Sequence, residues 1–169
     1  ELLINRTAEK TALETARQLG LDDTFVFENP RRGWKISKYI PHCKNLDAND
    51  DSQLEIAMVM ARKLHESGAK VERSFSFYTE GKRYECMLKE RGPIDVSDWQ
   101  EMSSQADMLN TLISAEAADP VLCHNDFFGL NFLVAEDDRV SLIDWEYAGM
   151  GDYANDFGTF CVCEQLDEE

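Results

Sequence analysis

Residues 121–147 read VLCHNDFFGLNFLVAEDDRVSLIDWEY, and the polar side chains in this stretch decide how the rest of the chain is read. His124, Asn125 and Asp126 follow an apolar run, Asn131 comes five residues after Asp126, and Asp144 closes a second apolar run. Asn131-Phe132-Leu133-Val134 and Val140-Ser141-Leu142-Ile143 are short apolar segments separated by the acidic turn Glu136-Asp137-Asp138, which predicts a β-hairpin. Antiparallel strands lie about 5 Å apart, so the hairpin would bring Asn131, at the start of one strand, beside Asp144, at the end of the other. Two oxygen ligands facing one space suit a hard cation such as Mg²⁺. A polar loop beside an ordinary surface hairpin is the bland alternative. It leaves unexplained why Asp126 and Asp144 are each held between apolar runs, where a carboxylate is costly without a cation or donors.

The spacing of His124, Asp126 and Asn131 is that of the protein-kinase catalytic loop, H-R-D-L-x-x-x-N. In that loop the Asp accepts the proton of the substrate hydroxyl and the Asn holds a metal ion, while an Asp on a later strand end holds the metals that bridge the nucleotide phosphates.

Composition is compatible with such chemistry without revealing it. With 169 residues, 43% of them hydrophobic, the chain can bury one sizeable core, as one domain or two small lobes. Seventeen basic against 33 acidic residues leave a net charge of −16, which repels nucleic acid and anionic membranes and favours a cationic partner. Five cysteines, at 43, 86, 123, 161 and 163, have no framework spacing and no apolar targeting segment before them, so reduced thiols and a cytoplasmic location are expected. Cys161-Val162-Cys163 has no second Cys or His pair nearby in sequence and reads as packing on a strand or helix edge.

In chain order, a helix is predicted over residues 5–19, with Ala8, Ala12, Ala16 and Leu19 on one stripe, Leu13 beside it and Gly20 as its stop. A second hairpin follows: Phe25-Val26-Phe27, a turn at Asn29–Gly33, and a strand over Trp34–Ile40 ended by Pro41. Ser52-Gln53-Leu54-Glu55 has the form of a capping box ahead of Leu54, Ala57, Ala61 and Leu64. His65, at that helix's end, fits packing or carbonyl capping better than titration or metal binding. Further helices are predicted over residues 77–90, with Phe77, Tyr84, Met87 and Leu88 apolar, and from Asp98 to about Ala117, with Trp99, Met102, Ala106, Leu109 and Ile113 at helical period. Gly149-Met150-Gly151-Asp152-Tyr153-Ala154 matches the dinucleotide fingerprint G-x-G-x-x-A. Its preceding strand belongs to a hairpin, and only 15 residues follow Ala154 (169 − 154), too few for the acidic ribose partner.

The chain resembles the bacterial choline kinase family, within the kinase-like phosphotransferases that include the aminoglycoside enzymes. Cys123-His124-Asn125-Asp126 with Asn131-Phe132-Leu133, then Leu142–Gly149, is similar to that family's paired signature, and Ile4-Asn5-Arg6 with Glu9, Trp34–Pro41 and Asp156-Phe157-Gly158 extend the similarity over most of the chain. Asn125 and Asp-Trp-Glu-Tyr at 144–147 favour the choline branch.

The resemblance implies an α+β, protein-kinase-like two-lobed fold. Residues 1–41 would be a remnant of the nucleotide-binding lobe and hinge, and residues 42–169 a mainly helical catalytic lobe. It implies ATP and Mg²⁺ as cofactors and a small cationic alcohol, choline or ethanolamine, as acceptor, with no nucleic-acid partner and no membrane insertion. Asp126 would be the catalytic base, and Asn131 and Asp144 the metal ligands. Glu146, two residues on along a strand-like segment, would face the same side and join the second metal or hold its water. Glu9 would be the helix carboxylate that pairs with the nucleotide-binding lysine, and backbone groups at Lys38, Tyr39 and Ile40 the hinge that receives adenine. His124 and Asp156 would support the catalytic loop, Asp156 by accepting its backbone N–H groups, although a helix N-cap would explain Asp156 equally. Tyr147 would offer a ring face to the cation, with ordinary core packing as the alternative.

Departures from the family's pattern accompany these matches. The Gly-rich loop and strand lysine that precede the helix carboxylate are absent before Glu9, and the family's C-terminal helices should follow residue 169. An incomplete chain of low activity is therefore the expectation. The rival readings are an aminoglycoside phosphotransferase and a non-catalytic kinase-like binding fragment. The fragment should have lost one of Asp126, Asn131 and Asp144, and all three are present.

Overall fold

The computed structural model describes residues 4–115 and 118–166. Its elements fall into two compact units, one formed by the residues up to Ser74 together with those from Pro120, the other by Phe75–Asp119.

The first unit starts with α1 (Arg6–Leu19), whose N-terminus is fixed by Asn5, the side chain accepting from the Ala8 amide. Gly20, in the left-handed conformation at φ 67°, ends it by donating to the carbonyls of Ala16 and Arg17. Ala8, Ala12, Leu13 and Ala16 form its buried stripe, as the periodicity predicts. Next come β1 (Phe25–Asn29) and β2 (Trp34–Ser37), antiparallel, with Glu28 opposite Lys35. The turn between them closes when the Asn29 carbonyl accepts from Arg32 and Gly33. The second strand stops at Ser37, short of the predicted Ile40. One further bond, Lys38 N–H to the Thr24 carbonyl at 2.8 Å, extends the ladder before Tyr39, 86% exposed, turns into solvent.

After β3 (Lys44–Asn45) comes α2 (Asp51–His65), which begins two residues earlier than a box at Ser52 would have it. Asp50 is its cap, its Oδ1 accepting from the Ser52 and Gln53 amides and from the Ser52 hydroxyl, while Gln53 returns a bond to Asp50 Oδ2. A carboxylate ahead of the helix outcompetes Ser52 because it accepts several donors at once and meets the positive end of the helix dipole. The Ser52 and Gln53 donors hold the Asp50 carboxyl down to about 2.

The chain re-enters the first unit at β4 (Val121–Cys123), passes through the loop 124–131, and forms the hairpin β5 (Phe132–Val134) and β6 (Val140–Leu142). β5 is central between β3 and β6, all antiparallel. β7 (Gly149–Gly151) pairs antiparallel with β4, so the fingerprint-like glycines sit in a hairpin ladder, and α5 (Ala154–Cys163) follows. Phe127, Phe132, Trp145 and Phe160 pack under the loop with Leu122 and Leu142, all within 1% of full burial. Removing such apolar area from water supplies on the order of 25 cal/mol per Å². Cys161 and Cys163 are exposed on α5 with Val162 between them, so the Cys-x-Cys segment does not pack as expected.

The second unit contains α3 (Phe77–Lys89) and α4 (Trp99–Ala115), capped at the start of α3 by Ser76. The predicted extension of α4 to Ala117 lies outside the described residues. Its apolar positions are largely exposed, among them Phe77, Leu88, Met102, Leu109 and Ile113, whereas the residue α3 buries is Glu85. Two helices offer each other one face each, and the remaining apolar positions have no third element of their own unit to cover them. Among the described residues no helix is long and apolar enough to cross a membrane.

Candidate active site

The loop between β4 and β5 carries its side chains in an arrangement that α5 enforces. Asp156, in the first turn of α5 and fully buried, accepts the backbone N–H of His124 at 3.0 Å through Oδ2 and that of Asn125 at 2.7 Å through Oδ1. Its side chain caps no helix, since Tyr153 holds the cap position of α5. His65, the last residue of α2, adds a third bond, Nε2 to Asp156 Oδ2 at 2.8 Å. It is thus neither plain packing nor a carbonyl cap, and nothing in the local helical pattern of α2 could have pointed to a partner 91 residues away. Glu164 grips the other end of the loop, accepting from the Gly129 amide at 2.7 Å. A Cβ on Gly129 would lie 2.9 Å from the Glu164 carboxylate and 3.0 Å from the Leu46 carbonyl, so the close approach requires glycine.

Within the loop His124 is fully buried, Nδ1 accepting the Asp126 N–H at 3.3 Å and Nε2 donating to the Ile143 carbonyl at 2.9 Å. These two bonds require the neutral Nε2–H tautomer, and burial pushes the imidazole below its ordinary pKa. His124 therefore ties the Asp126 backbone to the residue just before Asp144. Asn125 takes the left-handed conformation at φ 64°, its amide nitrogen donating to the Tyr147 carbonyl at 3.1 Å.

Asp126 is partly exposed, and Asn131 holds it, the Nδ2 group donating at 2.8 Å to both its carbonyl and its Oδ2. Asn131 Oδ1 is thereby left as an oxygen ligand. The hairpin then does what its sequence predicts: Ile143 N–H bonds the Asn131 carbonyl at 2.8 Å, bringing Asp144 to the same end of the strand pair as Asn131. Asp144 sits in the left-handed region at φ 67°, a conformation that costs a non-glycine residue free energy, and its carboxylate is exposed. Glu146 does not continue a strand. Residues 145–147 form one turn of 3₁₀-helix, so side-chain alternation cannot place Glu146 beside Asp144. The turn nevertheless brings it near, because burial first, and then the charges of Asp144 and Glu9, raise the Glu146 carboxyl.

Across from this edge, Glu9 of α1 is fully buried and accepts from Arg6 at 2.5 Å and from Lys35 at 2.9 Å. The Lys35 ammonium also lies 3.6 Å from Asp144 Oδ1. The lysine partner of Glu9 in this structure thus stands on β2, after the helix, and not before it as the resemblance suggests. Burial alone would lower the Lys35 pKa, but Glu9, Asp144 and Glu146 together raise it. Lys35 occupies alternate position in Trp34-Lys35-Ile36-Ser37, a polar residue on one face of a strand, which is weak but readable notice of a functional side chain. A cleft of about 320 Å³ opens beside it, lined by the apolar Leu133 and Ile143 and by Asp144, Thr24, Ser37 and Lys38. Lys38 lines that cleft with its ammonium on the Asp23 carbonyl at 3.0 Å, and its own N–H is engaged by Thr24. Tyr39 and Ile40 do not line it. The ring of Tyr147 carries the Arg73 guanidinium 5.8 Å from its centroid.

Asp144, Glu146 and Asn131 Oδ1 are hard oxygen donors, and the charges of Asp144 and Glu9 add to burial in raising the Glu146 carboxyl. That donor set and that charge fit a divalent cation of the Mg²⁺ type.

Residues 37–169 match the model of the phosphotransferase enzyme family. Protein LicA of Haemophilus influenzae is 28% identical over 175 residues, covering 99% of this chain and 63% of that protein. Among solved structures, LicA in complex with AMP superposes with a TM-score of 0.87 at 27% identity over 99% of this chain and 58% of that one. Choline kinase LicA from Streptococcus pneumoniae gives 0.86, also at 27%, over 98% of this chain and 59% of that one. The chain therefore spans less than two thirds of the length of each of these relatives.

Proposed function

The chain belongs to the phosphotransferase enzyme family, and from that premise we propose that it forms the core of an ATP-dependent kinase that phosphorylates the hydroxyl of a small amino-alcohol, choline before ethanolamine. Its mixed fold of helices and small antiparallel sheets is the kinase-like fold of those relatives. The observation that carries the reading is the single edge on which Asp126, Asn131 and Asp144 meet, with the Glu9–Lys35 pair opposite and a cleft lined by both Lys35 and Asp144. The names of the relatives, a choline kinase and a protein crystallised with AMP, support the choice of acceptor and nucleotide. The net charge of −16 favours a cationic acceptor. Residues 1–41 would then be nucleotide lobe and hinge, and residues 42–169 the catalytic lobe, in a cytoplasmic protein.

In this mechanism Asp126 orients the acceptor hydroxyl and takes its proton as the new P–O bond forms and the bond to the departing diphosphate oxygen breaks. Asn131 fixes the Asp126 carboxylate, His124 accepts the Asp126 N–H and Asp156 accepts the two amides before it, so little reorganisation is needed at the moment of transfer. Mg²⁺, when bound through Asn131 and Asp144 with Glu146 beside them, would supply charge neutralisation on the phosphates. Lys35 faces that edge with a positive charge 3.6 Å from Asp144 Oδ1. Adenine would lie over Leu133 and Ile143 towards Lys38. Tyr147, whose ring already faces one guanidinium, would form part of the wall around the acceptor cation.

A panel of alcohols with labelled ATP and Mg²⁺, run on the full-length protein that carries this core, tests the reading. Label on choline, and less on ethanolamine, is the expected result. Label on an aminoglycoside and never on choline would overturn the acceptor assignment, and no transfer from ATP to any alcohol would overturn the kinase.

A further inference from the structure

Behind the Glu9–Lys35 pair lies a carboxyl that the mechanism above does not use. Glu28, on β1, is 1% exposed and stands directly across the strand pair from Lys35. Its carboxyl is within hydrogen-bonding reach of Glu9, which is itself fully buried, and its Oε2 has no partner among the described residues. The charged groups that face it from the elements packed against β1 are Glu9 and Arg6 of α1 and Lys35 of β2. Two acids touching each other in a site closed to water cannot both ionise without large repulsion, so one proton must sit between them. Glu9, with Arg6 on one oxygen and Lys35 on the other, is the one held as carboxylate, which leaves the proton on Glu28.

Resting on the phosphotransferase reading, we propose that Glu28 is a positioning residue: by donating a hydrogen bond to Glu9 it keeps the buried acid pair at one negative charge and leaves Lys35 directed at Asp144 and at the phosphates of the nucleotide. Were Glu28 ionised, Lys35 would have two buried carboxylates behind it and one exposed carboxylate in front, and would be drawn back from the cleft. The site would also carry one more negative charge towards an anionic ligand. Burial, with the Glu9 charge next, pushes Glu28 up to about 7, so this balance shifts across neutral pH.

The test is calorimetric binding of ATP·Mg²⁺ between pH 6 and pH 8.5 to the full-length protein that carries this core, with the wild type and Glu28→Gln, an isostere that still donates to Glu9 but cannot ionise. One added charge at this range changes affinity by about tenfold. Wild-type affinity should fall by that much as pH rises, and Glu28→Gln should keep the acid-side affinity throughout. Glu28→Gln binding with the wild-type pH profile overturns the proposal. A carbon-13 titration of the wild-type Glu28 carboxyl needs no substitution: titration near 7 supports proton sharing, and titration in the ordinary carboxylate range overturns it whatever binding shows. A folded wild type that binds no ATP·Mg²⁺ at any pH, with Glu28 still titrating near 7, overturns instead the phosphotransferase reading on which the positioning role depends.

Discussion

Replacing Asp156 by Asn removes one oxygen from the point at which α5, α2 and the catalytic loop meet. The Asn oxygen can still accept from one loop amide, and the bond of 2.7 Å from Asn125 is the one best kept. The amide NH₂ then faces the His124 N–H, which lies 3.0 Å from the present Oδ2, and two donors oppose each other in a fully buried site. His65 can adapt by changing tautomer, since its Nε2 can accept as well as donate. The cost is therefore one charged hydrogen bond, about 1.5–3 kcal/mol, plus one buried N–H without an acceptor, about 1–3 kcal/mol, or about 2.5–6 kcal/mol together. For a chain of this size that corresponds to a fall in Tm of about 5–24 °C. Thermal unfolding followed by circular dichroism measures it, with hydrogen exchange at the His124 amide reporting whether the opening is local. A fall of under about 2 °C, with His124 still protected, would refute the view that Asp156 holds the loop.

Three further outcomes follow from the same geometry. Asp144→Asn removes a ligand oxygen from a group of like charges, so the melting temperature should stay level or rise slightly while transfer activity collapses and the stabilisation by Mg²⁺·ATP disappears. A ligand-induced stabilisation that persists undiminished in that variant counts against the metal role. Gly129→Ala should lower stability by about 1–3 kcal/mol in denaturant titration, because Glu164 or the Leu46 carbonyl must move to admit the methyl group. Because burial holds the folded-state pKa of His124 below its ordinary value, the unfolded chain takes up this proton first. The stability His124 confers should be complete above about 6.5 and decline as pH falls below it, read as a shift in urea midpoint that Glu28→Gln leaves in place.

Much of this molecule was legible before folding, and the legible part is local. Asn5 and Gly20 bound α1 because a cap is a bond between residues three to five apart, and the 132–142 hairpin follows from two apolar runs and an acidic turn. The spacing of His124, Asp126 and Asn131 likewise announces a site, because one loop supplies all three. Where local rules competed, as at Asp50 and Ser52, the stronger acceptor won, and pattern alone misplaced the cap. Strand alternation predicts Glu146 at the metal edge, yet it reaches that neighbourhood by a helical turn. Tertiary structure alone decided that His65 and Asp156 meet across 91 residues, that Lys35 answers Glu9 across 26, and that Glu28 is closed in behind them. Hydrophobic periodicity specifies which face of an element is buried and is silent about which polar group it will meet there. Those partners are selected only when elements distant in sequence pack and each buried charge must find a donor, a counter-charge or a proton.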